Sequence, residues 1–371
     1  MVLIVAALIA LQAPPSVDEA VRTGIATGVY PGAVVVIGTR DTVLLARGYG
    51  NFTWSAGSAV LDPERSLYDV ASLTKPVATT TAAMMLADRG HLALSRPVQA
   101  YLPGFLGAGK ERVTVRHLLE HRSGLRAFLR LDTLAKTADE ARRLVLEEPL
   151  SWAPGARVEY SDLNAMLLGW VVEAVGGASL DSFVMREVLK PVGMEASGFK
   201  PPRSLRPGIV PVGLWRGHAI AGEIHDQNAA RLGGVAGHAG LYATGLDLAR
   251  FAQFMLRRGV GPDGRQLVRT GAVELFTRRG PGHRALGWEM RDTTERGSAG
   301  ERLSAASYGH TGYTGTSIWI DPVRNLFVIL LTNRVFAPRH RRSIRALREI
   351  RGAVADAAVG LWEECGVACR P

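Results

Sequence analysis

Two kinds of apolar pattern divide the chain. Short runs of strand length, bounded by turn residues, lie near its two ends: Gly32 to Gly38 and Thr42 to Gly48 first, then Ala285 to Arg291, Thr316 to Ile320 and Leu326 to Thr332. The first two predict a hairpin through Thr39-Arg40-Asp41, and the last two a hairpin through Asp321-Pro322-Val323-Arg324-Asn325. Helical spacing marks Val17 to Thr27, Val115 to Glu120, Ala138 to Glu147, Asp162 to Val175, Leu180 to Leu189 and Leu246 to Arg257, joined by Gly/Pro loops. Near the end, Ile344, Leu347, Ile350, Val354 and Leu361 form one stripe. Opposite it run Arg339, His340, Arg341, Arg342, Arg345, Arg348 and Arg351, so the pattern predicts a helix docked by its apolar face, with the basic stripe in water. Strands at both ends with helices between predict an α+β fold: an antiparallel sheet built from both chain ends with flanking helices, plus a helical lobe. The sheet lobe is expected over about 14–95 and 285–371 and the helical lobe over about 96–284, with a cleft between them as the natural site.

Composition narrows this little. At 371 residues, 47% hydrophobic and 21% charged, the chain can bury a large core. Its 44 Lys+Arg against 34 Asp+Glu give a net charge of +10, which admits anionic partners. The arginine stripe has no aromatic residues interleaved for base stacking, so no nucleic-acid partner is expected. Residues 2 to 11 are uninterrupted apolar, long enough for a signal-peptide core and too short to span a bilayer, which predicts a signal-type segment over 1–13 and an exported protein, although no Lys or Arg precedes the run. Cys365 and Cys369 make neither a disulfide framework nor a zinc site.

The chemistry centres on Ser72-Leu73-Thr74-Lys75, where the extended stretch Ser66 to Ala71 gives way to a helical run ending at Gly90. Residues three apart on a helix share a face, which puts the Lys75 amine beside the Ser72 hydroxyl: a nucleophile with a base. The free N–H groups of a helix start also favour an oxyanion there. Ser197 and Lys200 repeat the spacing, but Gly198 and Pro201-Pro202 oppose a helix, so this pair is expected to be inert. Tyr160-Ser161-Asp162-Leu163-Asn164 precedes an apolar helix and leaves the Tyr160 phenol on its approach. Tyr308-Gly309-His310-Thr311-Gly312-Tyr313-Thr314-Gly315 leads into a strand, with glycines that allow close backbone approach and a Tyr313 N–H that can face an oxyanion.

In this order, the three stretches resemble the serine beta-lactamase and penicillin-binding protein family, especially its class C-like branch of low-molecular-weight DD-peptidases and esterases. The resemblance runs over most of the chain after Pro31 and includes Thr114 to Leu125, the glycine-rich Gly233 to Gly240 and the final hairpin. It implies a beta-lactamase/transpeptidase-like fold and hydrolysis of an amide or ester through an acyl-enzyme, without a metal or other cofactor. It implies Ser72 as nucleophile, Lys75 as its proton partner, Tyr160 assisting proton transfer, and an oxyanion hole from the N–H groups of Ser72 and Tyr313, with His310, Gly312 and Asp162 lining the substrate. The implied substrate is a small molecule or a peptidoglycan-derived fragment, with association to the cell envelope.

Two positions depart from the family pattern. Asp162 stands where Asn is common, and an anion there disfavours a substrate carboxylate or amide carbonyl. His310 replaces a common Lys; an ordinary imidazole titrates near ~6.5, so carboxylate-bearing substrates are expected to gain as pH falls toward about 6, unless an arginine supplies the cation.

Two rival readings exist. His117-Leu118-Leu119-Glu120-His121 matches the H-x-x-E-H of zinc metallopeptidases. A non-catalytic peptidoglycan-binding protein on the same fold is the other, opposed by the intact Ser72, Lys75 and Tyr160. No serine lies in a Gly-x-Ser-x-Gly elbow, which argues against an α/β-hydrolase. His225, Asp226 and His238 are further candidates for the cleft wall.

Overall fold

The computed structural model describes residues 16–215, 218–336 and 343–366. The apolar segment 1–13, Arg339 to Arg342 and Cys369 lie outside the described residues.

Strands from both ends of the chain meet in a six-stranded antiparallel sheet, in the order Val43–Gly50, Gly32–Gly38, Leu326–Thr332, Ser317–Asp321, Tyr308–Thr311, Glu289–Met290. Gly32–Gly38 and Leu326–Thr332 pair from Ala33 opposite Thr332 to Gly38 opposite Phe327, and every residue of both is buried. Both faces are covered, so these two strands read as continuous apolar runs. Val34, Val36, Ile329 and Leu331 point into the larger core with the helices Gly245–Leu256 and Asp162–Gly176. Ala33, Val35, Ile37, Val328 and Leu330 point to the other face, against helices Val17–Ala26 and Ile344–Cys365.

Three expectations need correction. The strand expected over Ala285 to Arg291 is only Glu289–Met290, because Arg284 to Gly287 turn back to form a bridge between Arg284 and Glu289. Tyr308–Thr311, read as a motif leading into a strand, is itself a strand, with His310 opposite Ile318. In the C-terminal helix, Leu347, Ile350 and Val354 are buried as expected, but Ile344 is 61% exposed and Arg351 only 6%. Arg351 follows Leu347 by four residues, which places it on the docked face rather than the solvated one.

Candidate active site

Ser72 lies between two small structures that define it. The strand Tyr68–Asp69 pairs with Leu241–Ala243, and the chain then passes through a 3-10 turn at Ala71–Leu73 into a π-helical turn at Lys75–Thr80 and the α-helix Thr81–Asp88. Pro76 has no N–H to give, and the Thr81 hydroxyl donates to the Pro76 carbonyl at 2.8 Å, which satisfies the widened turn locally. Ala71 sits at φ +49°, a left-handed conformation costly for a residue with a Cβ. Its N–H donates to Asp69 Oδ1 at 2.9 Å, and the other Asp69 oxygen accepts the His225 N–H at 2.9 Å. Burial outweighs these two bonds and lifts the Asp69 carboxyl to about 6.

Lys75 Nζ donates to Ser72 Oγ at 2.9 Å and to the His238 carbonyl at 3.2 Å, and lies 2.8 Å from Asp162 Oδ1. All three ammonium protons therefore have acceptors. Burial by itself would lower the Lys75 pKa, but the Asp162 carboxylate and the Tyr160 phenol overcome it and the net direction is up. The Tyr160 ring lies 5.0 Å from this ammonium, 4.8 Å from the His121 ring and 5.9 Å from the His310 ring. His310 is buried; its Nδ1 lies 2.9 Å from the Thr311 carbonyl and carries the proton toward it, leaving Nε2 as a buried acceptor without a partner among the described residues. Burial, then Lys75, then Arg284 hold the His310 pKa well below the usual imidazole range, so His310 is neutral. This direction runs against the gain of charge toward pH 6 that an ordinary imidazole would show.

The loop after His310 folds onto the nucleophile turn. Thr314 Oγ1 donates to the Asp69 carbonyl and Thr316 Oγ1 to the Val70 carbonyl, each at 2.9 Å. Gly312 is required at this contact: a Cβ there would lie 2.1 Å from Thr316 Oγ1 and 2.6 Å from the Val70 carbonyl. Arg351 reaches from the C-terminal helix to the carbonyls of Gly312 at 2.8 Å and Thr316 at 2.7 Å, and burial lowers its pKa to about 9. Arg334 Nε donates to the Tyr313 carbonyl at 2.8 Å, its guanidinium 4.6 Å from that ring, and His225 stacks on the same ring at 5.4 Å. Ser72 and Tyr313 both line a cavity of about 720 Å³, together with Tyr160, Asp162, His310 and Arg284.

All seven sequence-derived site residues thus converge: Ser72, Lys75, Tyr160, Asp162, His310, Gly312 and Tyr313. Asp162, however, is Lys75's partner rather than a reader of substrate carbonyl. His225 and Asp226 line the cavity, while His238 is buried behind it, 3.1 Å from Asp226. The zinc alternative does not form. His117 Nδ1 accepts from the Thr114 N–H in the helix cap, His121 Nδ1 accepts from the Ser161 N–H beyond a left-handed turn, and Glu120 pairs with Arg116 and Arg122. Asp162, Asp226 and His238 bring ligand atoms within 4.8 Å of one another, but a cation there would compete with Lys75 for Asp162. In the Ser197/Lys200 repeat, Ser197 Oγ donates to Asp247 Oδ2 rather than meeting Lys200, and Lys200 adopts φ +47°.

Sequence reasoning missed Asp69, Arg284 and Arg351. Asp69 lies inside the extended stretch Ser66 to Ala71, Arg284 lies in no motif, and Arg351 is recognisable by its spacing from Leu347.

A family model described as Beta-lactamase matches residues 17–352. The chain is 33% identical over 359 residues to an N-acetylmuramyl-L-alanine amidase of Bacillus subtilis (strain 168), covering 87% of this chain and 81% of that protein. It is 31% identical over 346 residues to a Salmonella schwarzengrund (strain CVM19633) protein named, provisionally, a D-alanyl-D-alanine carboxypeptidase, covering 83% and 80%. Its fold is similar to that of a penicillin-binding protein homologue from Caulobacter crescentus, with TM-score 0.76 and 20% identity over 93% of this chain and 96% of that one. A class C beta-lactamase superposes with TM-score 0.73 and 18% identity over 92% and 94%. With its matched span and its three motifs on one cavity, the chain belongs to the beta-lactamase family.

Proposed function

We propose that this protein is a serine hydrolase that cleaves an amide bond of a peptidoglycan-derived fragment through an ester on Ser72. The observation that carries the reading is Lys75 Nζ at 2.9 Å from Ser72 Oγ, beside a cavity that Ser72 and Tyr313 both line. A cavity of about 720 Å³ has room for a peptide or amino-sugar fragment. The names of the amidase and carboxypeptidase relatives support an amide substrate over an ester. They also support a place of work outside the cytoplasm, at the cell envelope.

Lys75 begins as an ammonium with its protons committed, so it does not take the serine proton unaided. Ser72 Oγ attacks the carbonyl carbon as its proton passes to Lys75 and Lys75 passes one to Asp162 at 2.8 Å. The N–H groups of Ser72 and Tyr313 hold the oxyanion. On collapse the C–N bond breaks, and the leaving amine takes the proton back from the Asp162–Lys75 pair, with Tyr160 beside it. Water then attacks the acyl-Ser72 ester over the same relay, releasing the acid and restoring Ser72.

Intact mass after exposure to a serine-directed fluorophosphonate tests this, with wild type gaining one adduct and Ser72→Ala none. Turnover is assayed on an N-acetylmuramyl-L-alanyl peptide, a D-alanyl-D-alanine peptide and an activated ester. Retention of turnover in Ser72→Ala overturns the proposal.

A further inference from the structure

His121 fastens the chain on both sides of Tyr160. The helix Val115–Leu119 has ended by this residue, and His121 takes φ +54°, a left-handed conformation that a residue with a Cβ adopts at a cost. That turn aims both its backbone and its ring at one short segment. The His121 carbonyl accepts the Glu159 N–H at 2.8 Å, and Nδ1 accepts the Ser161 N–H, in the peptide group that joins Tyr160 to Ser161, at 3.1 Å. The Tyr160 ring lies 4.8 Å from the imidazole, the two planes tilted by 40°. Asn164 agrees with Nδ1 as the acceptor: its carbonyl takes the Ser123 hydroxyl, so its amide nitrogen faces Nδ1, at 3.4 Å. The proton is then on Nε2, and burial, followed by Arg284, Lys75 and His310, keeps the buried ring well below its usual titration range. Ser161 Oγ also donates to the Arg126 carbonyl at 2.6 Å, and the Asp162 N–H to the Ala127 carbonyl at 3.0 Å, which completes the fastening.

We infer that His121 is a positioning residue for Tyr160: by accepting the Ser161 N–H at Nδ1, it holds the phenol beside Lys75, where the leaving group takes its proton. This rests on the serine-hydrolase reading of the same site. The Tyr160 ring lies 5.0 Å from Lys75 Nζ, and a displacement of about 1 Å there disturbs proton transfer. The contact between Lys75 and Ser72 is set within a single turn of chain and is untouched by it. The effect is therefore selective. An amine must be protonated as it leaves, whereas 4-nitrophenolate leaves as an anion, so misplacing Tyr160 slows amides and spares an activated ester.

The test compares wild type with two variants. His121→Phe keeps a ring against Tyr160 but has no acceptor; His121→Asn puts a carbonyl oxygen in the place of Nδ1 and tolerates the left-handed backbone. Each is assayed on an N-acetylmuramyl-L-alanyl peptide, a D-alanyl-D-alanine peptide and 4-nitrophenyl acetate, with fluorophosphonate labelling of Ser72 reporting that the site is assembled. The readout is the amide-to-ester ratio of kcat/KM, in which a general loss of folded enzyme cancels. His121→Phe is expected to lower that ratio by about tenfold or more, through kcat, and His121→Asn to keep it within about threefold of wild type. A ratio unchanged in labelled His121→Phe, or lowered equally in both variants, overturns the role of His121 and leaves the hydrolase reading intact. If His121→Phe yields no labelled protein, His121→Asn decides: a retained ratio supports the role, and a loss of about tenfold overturns it. Wild type that cleaves neither amide overturns the amide-hydrolase reading, and this inference with it.

Discussion

Lys75 Nζ lies 2.8 Å from a carboxylate oxygen of Asp162, so the amine that adjoins the nucleophile is held as an ammonium by a residue of the second motif. An asparagine in that place would hydrogen-bond the lysine without the negative charge that retains its proton. Asp162 thus both lines the cavity and holds Lys75.

Asp162→Asn should convert a flat pH profile into a rising one. In wild type the Asp162–Lys75 pair takes the serine proton throughout the neutral range. In the variant only neutral Lys75 can take it, so kcat/KM should fall by about tenfold or more near pH 6 and recover as pH climbs toward about 9. Profiles of both proteins on one neutral ester check this. Parallel profiles would show that Asp162 only positions Lys75.

The neutral state of His310 fixes a second outcome. Burial, Lys75 and Arg284 keep its pKa well below the usual range, so the preference between acidic and neutral substrates should stay constant from about pH 5.5 to 8. A rise in the acidic substrate's relative kcat/KM near pH 6 would mean that His310 does charge.

Gly312→Ala should disable the site without unfolding the chain. The added Cβ would meet Thr316 Oγ1 and the Val70 carbonyl, and would drive the Tyr313 N–H away from Ser72. A loss of roughly hundredfold or more in kcat is expected, with a melting temperature within a few degrees of wild type. Near-normal turnover would show that the loop does not hold the oxyanion.

Asp69 links stability to pH. Burial pushes its carboxyl up to about 6 in the folded chain, above the ordinary aspartate range near ~3.9, so the folded state binds the proton more tightly. The resulting stabilisation is fully present below about pH 4 and is lost as pH rises through about 6, an effect on the order of 3 kcal/mol at most. Asp69→Asn lacks this titration. Urea unfolding at pH 5 and 7.5 should therefore show wild type losing stability relative to the variant at the higher pH. An equal difference at both would place the Asp69 pKa near its ordinary value.

Local periodicity determined much of this protein. The all-apolar runs Gly32 to Gly38 and Leu326 to Thr332 announce strands buried on both faces, and the Ser72/Lys75 spacing announces a paired nucleophile, because both are set by backbone geometry over a few residues. His117 and His121 show the limit of spacing: four residues apart in sequence, they were separated when the helix ended at Leu119 and His121 turned left-handed. Which residues carry charge in the site was a tertiary decision. Asp162 found Lys75 across 87 residues, Arg351 left the solvated stripe for the Gly312 and Thr316 carbonyls, and His310 lost its ordinary titration on burial. Each of these depends on desolvation and on neighbours brought together from distant parts of the chain, and neither is encoded in local spacing.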